Sequence, residues 1–361
     1  MTNSLENLSL MSTAIGSLPH KDARKALKLI EEAFKNISVW PQLPAKSRLE
    51  DMTAQYIQGL PGCQQDQESG RYYIDTTRDE FYLEVEEFIQ DYETIITEKD
   101  LSQIDKYAIT SEHASALGLW LDIVQKTKPE ALKGQITGPF TYATSIVDQE
   151  NRCAFYDDSL REIIEKFLAL KALWQIEQFK KVCPDAIYIM SLDEPTISQY
   201  GSTAFMTVQK NDIISSFNFI AEVIHNAGSI SFIHCCGNTD WSVVTSSDIK
   251  FLNFDAYNFA DSIALYPENI AEFIEKGNFI AWGLVPTLDP EQVKEMTKEK
   301  AIDIFEKTID KLACKGVNKE KLIRQSIITP ACGTGSLSEE LAEFSLRLTS
   351  DVAAILRSKY I

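Results

Sequence analysis

The stretch Ser229-Ile-Ser-Phe-Ile-His-Cys-Cys-Gly-Asn238 is a short apolar run that ends in a histidine and two cysteines. An apolar run of this length predicts a buried strand. Side chains alternate along a strand, so His234 and Cys236 face one side and Cys235 faces the other. The stretch therefore predicts a strand that brings two metal-binding side chains to one place.

Seven further runs of this kind occur along the chain, and amphipathic helical patterns separate most of them. Strands that alternate with helices indicate a parallel sheet with right-handed crossovers. Eight such strands predict an α/β fold, a closed (β/α)8 TIM barrel. The predicted strands are Thr13–Leu18, Ser38–Leu43, Leu132–Thr137, Ala186–Leu192, Ser229–Cys235, Phe251–Ala256, Phe279–Leu284 and Ser326–Thr329. The predicted helices are Ala23–Lys35, Leu160–Val182, Ile213–Ala227, Ile270–Glu275 and Pro290–Cys314.

The length of 361 residues suits one barrel domain over residues 1–361, with an insertion at about 62–130 between the second and third strands. That stretch is too long for a single crossover. Within it, Arg71–Ile74, Asp75–Arg78 and Glu80–Val85 predict a strand, a turn and a second strand of a hairpin, followed by helices. We expect the insertion to cover the active face of the barrel.

Composition excludes several classes of function. With 44% hydrophobic and 24% charged residues, the chain can bury a sizeable core. A formal net charge of −18 excludes broad contact with nucleic acid, which depends on clustered lysine and arginine. Seven cysteines in so long a chain do not form a disulfide framework. Met1–Ser12 carries no basic segment and no apolar run reaches ~18 residues, so we expect a cytoplasmic protein without membrane contact.

The active site of a barrel lies at the carboxyl ends of its strands. Cys332 follows the last strand, and with His234 and Cys236 it gives three soft ligands that could hold zinc and leave a position for substrate. Asp255 follows the sixth strand, where it could be a fourth ligand or could cap the next helix. The same position after the fourth strand holds two carboxylates, Asp193 and Glu194. They could bind an ammonium group, move a proton, or cap a helix.

The first strand ends in Gly16-Ser17, whose N–H groups could bind a substrate carboxylate or form a plain turn. His20 follows closely and could face the site or cap the helix that begins after it. His113 and His225 lie in helical patterns, which favours structural roles for both.

These motifs together resemble the superfamily of cobalamin-independent methionine synthase and uroporphyrinogen decarboxylase, in particular the C-terminal catalytic barrel of the methionine synthase branch. The resemblance extends over nearly the whole chain. The matching stretches are Ala14–Pro19, Gly134–Phe140, Ser191–Pro195, Ile233–Asn238 and Thr329–Gly333.

The resemblance implies a Zn²⁺ cofactor and methyl transfer to a small thiol, for which homocysteine is plausible. It implies that Asp193 binds the amino group of homocysteine, and that the backbone of Ile15, Gly16 and Ser17 binds its carboxylate. The implied zinc ligands are His234, Cys236, Asp255 and Cys332. The family usually has glutamate at the position of Asp255.

The sequence also departs from the synthase pattern. Trp40–Pro44 lacks the glutamate that binds the amino group in the synthases, and Trp282–Pro286 lacks their histidine. The additional N-terminal half of the synthases has no counterpart, so we expect a stand-alone barrel. The missing histidine, which the synthases use to protonate folate, favours a methylated corrinoid protein as the methyl donor over methyltetrahydrofolate, the donor of the synthases. The alternatives are a metal-free decarboxylase of the uroporphyrinogen type and a non-catalytic barrel that a structural zinc stabilises.

Overall fold

The computed structural model describes residues 5–361; Met1–Ser4, part of the polar N-terminal segment discussed above, lie outside the described residues. Strands and helices are numbered in chain order. The strands are β1 (Ile37–Val39), β2 (Cys63–Gln65), β3 (Tyr72–Ile74), β4 (Ala131–Thr137), β5 (Val147–Asp148), β6 (Ile187–Asp193), β7 (Ile230–Cys235), β8 (Phe251–Phe254), β9 (Phe279–Val285) and β10 (Ser326–Pro330).

Helices lie between most of the strands. The α-helices are α1 (Ala23–Ala33), α2 (Phe81–Tyr92), α3 (Leu117–Thr127), α4 (Pro139–Ser145), α5 (Asp158–Val182), α6 (Lys210–Asn226), α7 (Trp241–Thr245), α8 (Ala256–Ile263), α9 (Pro267–Glu275), α10 (Pro290–Glu295), α11 (Lys298–Ala313), α12 (Lys319–Arg324) and α13 (Glu339–Tyr360). Side-chain caps define several starts; the Asp157 carboxylate, for example, accepts from the N–H groups of Ser159 and Leu160 at the start of α5.

Seven strands form one parallel sheet in the order β1-β4-β6-β7-β8-β9-β10. Nearly every residue in them is buried, as expected where helices cover the outer face of a parallel sheet. Alternate side chains from all seven strands pack together in one cluster on the inner face, where the rings of Phe251 and Phe279 stack with their centroids 4.7 Å apart. The sheet is therefore curled around an inner core, and this architecture is consistent with a TIM-like barrel.

Seven of the eight predicted strands are confirmed, within a few residues at their ends. The first, Thr13–Leu18, is not a regular strand. Its segment instead makes two isolated parallel bridges, Ser12 with Ile328 of β10 and Ser17 with Gln42 just after β1. The segment thus forms hydrogen bonds at both edges of the sheet, at the position predicted for the first strand.

The insertion differs from its prediction in one strand. Tyr72–Ile74 is the predicted strand, but it pairs in antiparallel fashion with Cys63–Gln65. The predicted second strand, Glu80–Val85, is wrong, because α2 begins at Phe81. Phe88 and Tyr92 are buried with Phe81 at helical spacing, so a helix buries this apolar face where a strand would not.

The predicted helix Pro290–Cys314 is two helices, α10 and α11. The break falls at Thr297, whose hydroxyl oxygen accepts from the N–H of Lys300 and caps α11. No helix among residues 5–361 is long and apolar enough to cross a membrane.

Lys171 joins the insertion to the barrel. This side chain of α5 is fully buried, and its ammonium group donates to the carbonyl oxygens of Gln58 at 2.7 Å and Ala108 at 3.2 Å. It also lies over the ring of Phe167, 5.0 Å from the centroid. Burial lowers the pKa of Lys171 to about 7. One side chain thus binds the main chain on both sides of the hairpin and α2.

We predict that Lys171→Met destabilises the protein by about 2–4 kcal/mol, because methionine leaves two buried carbonyl groups without a donor. Amide hydrogen exchange should rise in the insertion and stay unchanged in β6–β9. Lys180→Met on the same helix is the control: Lys180 is partly exposed and pairs with Glu177, and losing that pair should cost at most ~1 kcal/mol. Equal losses of stability in the two variants would contradict the prediction.

Candidate metal centre

His234, Cys236 and Cys332 lie together at the carboxyl ends of the strands. Their nitrogen and sulfur atoms are all within 4.8 Å of one another. His234 is the penultimate residue of β7, and Cys236 follows the strand directly. In a tetrahedral zinc site such atoms would stand roughly 3.5–3.8 Å apart, so the cluster has the dimensions that a metal ion requires.

A glycine lets the chain bring Cys332 close to β7. A Cβ atom on Gly283 of β9 would lie 2.5 Å from the carbonyl oxygen of Phe254 and 2.8 Å from the Cα of Ala331. Any side chain at this position would push the main chain after β10 away from β8 and β9. The close approach therefore depends on glycine, and it places the residue after Ala331 at the centre.

Asn253 fixes the histidine. Its amide nitrogen donates to the carbonyl oxygen of Ala281 and to the hydroxyl of Thr329, both at 2.8 Å. The amide oxygen is therefore turned toward Nδ1 of His234, which donates to it. Nε2 of His234 then carries the lone pair, and it is buried without a hydrogen-bond partner in the part of the chain that the structure describes. A histidine that is oriented in this way is prepared to bind a metal ion.

The two thiols share a proton. The hydrogen bond from Cys332 lowers the pKa of Cys236 to about 4, with His234 acting in the same direction and burial opposing it. The same contact raises the pKa of Cys332 well above its ordinary value. Burial lowers the pKa of His234, but the nearby Cys236 raises it and the net shift is upward. One imidazole nitrogen, one thiolate and one thiol, which a metal ion would deprotonate on binding, form a donor set that fits zinc.

Cys235 and Asp255 lie outside this cluster. Cys235 is buried in the apolar core behind the strand, which confirms that it faces away from His234. Asp255 begins α8, where its carboxylate accepts from the backbone N–H of Asn258 at 2.9 Å and from the amide group of Asn258 at 2.6 Å. Burial raises the pKa of Asp255. The structure therefore gives Asp255 the helix-capping contact, and its role as a fourth ligand stays a prediction.

Asp193 lies directly beside the cluster. It is the last residue of β6 and pairs in register with His234 on β7. The side chain is largely buried, and one carboxylate oxygen accepts from the hydroxyl of Ser191 at 2.8 Å. The Asp193 side chain therefore stands next to the three-residue cluster.

Glu194 has a different environment from its neighbour. It is fully buried, and its carboxylate accepts from the N–H groups of Phe140 and Thr141 at 2.9 Å and from the Thr141 hydroxyl at 2.7 Å. Burial raises the pKa of Glu194 to about 7, against these hydrogen bonds. All of these contacts serve the start of α4, so they favour helix capping over proton transfer. The capped helix lies 54 residues earlier in the chain, whereas the sequence suggested the helix that follows.

The Gly16-Ser17 turn touches the loop of Cys332. The carbonyl oxygen of Ser17 accepts from the N–H of Thr334 at 2.9 Å and from its hydroxyl at 3.1 Å. A Cβ atom on Gly333 would lie 2.1 Å from the Ser17 hydroxyl oxygen. The segment expected to bind a carboxylate therefore lies next to a predicted metal ligand. His20 is buried outside the three-residue cluster, and its Nδ1 has no hydrogen-bond partner among residues 5–361.

Asn253 is not among the residues predicted from the sequence, although its position in an apolar run marks it as unusual. It is the one polar residue within the buried strand Phe251–Phe254, and it stands two residues before Asp255 on the same face. A polar side chain at an inward position of an otherwise apolar strand requires a partner. The register of β7 with β8 supplies that partner, because Asn253 pairs with His234.

Comparison with known proteins does not assign the chain to a family. No protein-family model matches the sequence, and no curated protein matches it. Among solved structures, the chain is similar to a B12-independent methionine synthase from Shewanella sp. W3-18-1 in complex with selenomethionine. The identity is 16%, the match covers 66% of this chain and 67% of that chain, and the TM-score is 0.45.

We predict that Asn253→Ala lowers zinc affinity by about 10–100-fold, because the imidazole loses the acceptor that fixes its tautomer and orientation. Competition with a chromogenic chelator measures the affinity. Asn218→Ala is the control, because Asn218 on α6 caps the exposed N–H of Asp248, which precedes the amino end of β8, whereas the centre lies at the carboxyl ends of the strands. An unchanged affinity in the Asn253 variant would contradict the assigned role.

Glu194 gives a pH-dependent prediction. The pKa of Glu194 is higher in the folded protein than the ordinary value of 4.5, so protonated Glu194 stabilises the fold. This contribution is complete below pH 4.5 and is lost as the pH rises to about 7. Relative to Glu194→Gln, the wild-type protein should lose roughly 3 kcal/mol of unfolding free energy across this window. Urea unfolding at several pH values measures the difference. Glu162→Gln, at an exposed position of α5, should keep the wild-type profile; parallel profiles for wild type and Glu194→Gln would refute the prediction.

Proposed function

We propose that this protein is a zinc-dependent methyltransferase that moves a methyl group to a small thiol. The observation that carries the proposal is the convergence of one buried, unpartnered imidazole nitrogen and two thiols at the ends of β7 and β10. The residues that would hold the ion are His234, Cys236 and Cys332, with Asp255 as the proposed fourth ligand. The motifs that resemble the methionine synthase branch support the same activity.

Zinc, when bound, lowers the pKa of a thiol that coordinates it, so that the sulfur reacts as a thiolate near neutral pH. In the transfer, a sulfur–carbon bond forms to the methyl group while the bond from methyl to its donor breaks, and the donor keeps the electron pair. The thiol proton is released. The protein residues bind and orient the thiol beside the donor.

We assign two substrate contacts, with homocysteine as the plausible thiol. Asp193 would bind the ammonium group, because its carboxylate stands beside His234 and only one of its oxygens accepts a hydrogen bond within the protein. The backbone of Ile15–Ser17 would bind the carboxylate, since this turn touches the loop of Cys332. Proton transfer is not assigned to Glu194, because its carboxylate caps α4.

The donor would be a methylated corrinoid protein or methyltetrahydrofolate. We propose that the chain is a single (β/α)8 barrel over residues 1–361, in which the segment 10–18 closes the sheet as the eighth strand. The insertion at about 62–130 would then be the surface that receives the donor. We also propose a cytoplasmic location, because the two thiols of the centre must stay reduced to bind zinc.

We predict that Cys332→Ser removes zinc and abolishes methylation of homocysteine, whereas the fold is retained. Metal analysis, circular dichroism and an assay with methylcobalamin or methyltetrahydrofolate as donor measure the three properties. Cys235→Ala is the matched control, since the neighbouring cysteine lies in the apolar core and its loss should leave metal content and activity unchanged.

The same variant separates catalysis from a structural role. If Cys332→Ser unfolds the protein, the zinc is structural. If the variant keeps both zinc and activity, the proposed centre is wrong. A wild-type protein that binds zinc but methylates none of homocysteine, coenzyme M or other small thiols would contradict the proposed reaction.

A further inference from the structure

A buried ammonium group lies next to the proposed substrate site. Lys133, on the inner face of β4, is fully buried, and its Nζ donates to the carbonyl oxygen of Ile15 at 2.6 Å. It lies over the ring of Phe232, 5.2 Å from the centroid. Burial lowers the pKa of Lys133 to about 8, and the negative charge of Asp193 opposes that shift. A buried cation with one hydrogen bond is costly to stability, so it calls for an explanation beyond packing.

The contact with Ile15 determines which way the next N–H group points. The peptide bond between Ile15 and Gly16 is trans, as are all the others described. In a trans peptide the C=O and the following N–H point in opposite directions. Because the carbonyl of Ile15 points toward Nζ of Lys133, the N–H of Gly16 points away from Lys133.

These N–H groups are free to bind a ligand. Within residues 5–361 neither Gly16 nor Ser17 donates a backbone hydrogen bond, whereas Leu18 donates to Gln42 at 2.9 Å. The carbonyl oxygens of the turn are already bonded: Gly16 accepts from Gln42 at 3.1 Å and Ser17 from Thr334. Two adjacent donors without partners, in a turn whose acceptors are all used, form a site for an anion.

The turn is also held on its other sides. A Cβ atom on Gly16 would lie 2.9 Å from the side-chain oxygen of Gln42 and 3.2 Å from the Cδ of Gln135. The two side-chain amides are themselves held by hydrogen bonds, because Gln42 donates to Gln55 at 2.6 Å and Gln135 donates to the carbonyl of Trp40 at 3.1 Å. The turn therefore cannot reorient by itself, and Lys133 is the charged group that sets its direction.

We propose that Lys133 is a positioning residue that, through the peptide between Ile15 and Gly16, aims the N–H group of Gly16 at the carboxylate of the thiol substrate, beside the N–H of Ser17. The inference rests on the proposed function and adds to it the residue that orients the carboxylate-binding turn. Lys133 polarises the Ile15 carbonyl, which makes the N–H of the same peptide a stronger donor. Its positive charge also favours an anion in the neighbouring turn. It does not touch the thiol.

The test measures thiol binding, without turnover, in protein loaded with Co²⁺, whose absorption changes when a sulfur ligand is added. The probes are homocysteine, 3-mercaptopropionate, and 3-aminopropane-1-thiol, which is homocysteine without its carboxylate. Lys133→Met should weaken binding of the first two at least tenfold, as expected for a lost charge-assisted contact. Its affinity for 3-aminopropane-1-thiol should change less than twofold.

Lys171→Met is the matched control. Lys171 is equally buried, lies over a phenylalanine ring, and bonds to main-chain carbonyls, but it joins the insertion to α5. This variant should lose stability and bind all three thiols with wild-type affinity. Lys133→Gln, which keeps a donor for Ile15 but not the charge, should give an intermediate loss for the two carboxylates.

Two results would overturn the inference. If Lys133→Met lowers the affinity for all three thiols equally, the role of Lys133 is structural. If it lowers the affinity for none of them, Lys133 does not orient the turn. Nitrogen-15 spectra of the unaltered protein give a test that does not depend on a variant folding. The resonance of the Gly16 amide should shift downfield when 3-mercaptopropionate is added and should not shift with 3-aminopropane-1-thiol. An equal shift with both thiols, or no shift with either, would also refute the inference. If no thiol changes the cobalt spectrum of the wild type, the proposed function itself fails.

Discussion

The register between β6, β7 and β8 is the constraint on which the site depends. Continuous parallel hydrogen bonding pairs Asp193 with His234 and His234 with Asn253, so that three polar side chains stand in one row on the inner face. A shift of one residue in any of these strands would turn its polar side chain to the apolar outer layer. The register thus places His234 beside Asp193 and beside the amide that orients its imidazole.

Polar groups inside the sheet are nearly all paired, and the pairs connect distant parts of the chain. Asn253 joins β8 to β9 and β10, Glu194 joins the end of β6 to α4, and Lys133 joins β4 to the N-terminal segment. Against this background, Nε2 of His234 is one of the few buried side-chain atoms without a partner among residues 5–361, as is Oε1 of Gln135 on β4. Such exceptions in an otherwise satisfied interior are expected at functional sites, where the missing partner is a ligand.

Much of the fold could be predicted because apolar periodicity reports burial directly. Seven strands and the cluster of His234, Cys236 and Cys332 follow from that pattern and from the position of these residues at strand ends. The strand Thr13–Leu18 could not be distinguished from an irregular segment, since two isolated bridges leave the same apolar sequence as a full ladder. Glu80–Val85 was ambiguous for a related reason, because a short apolar run fits a strand or a helix. Here the segment is helical, and the helix buries Phe88 and Tyr92 on the same face as Phe81. The role of Glu194 depends on donors 54 residues away, which local sequence does not contain.

The central claim is that the centre holds one zinc ion and keeps a position for a thiol sulfur. X-ray absorption fine structure at the zinc edge tests it most directly, in the resting protein and with homocysteine added. The account predicts two sulfur ligands at rest, at about 2.3 Å, and three with homocysteine. Zinc that keeps the same set of ligands with and without the thiol would contradict it, because the site would then be closed to substrate.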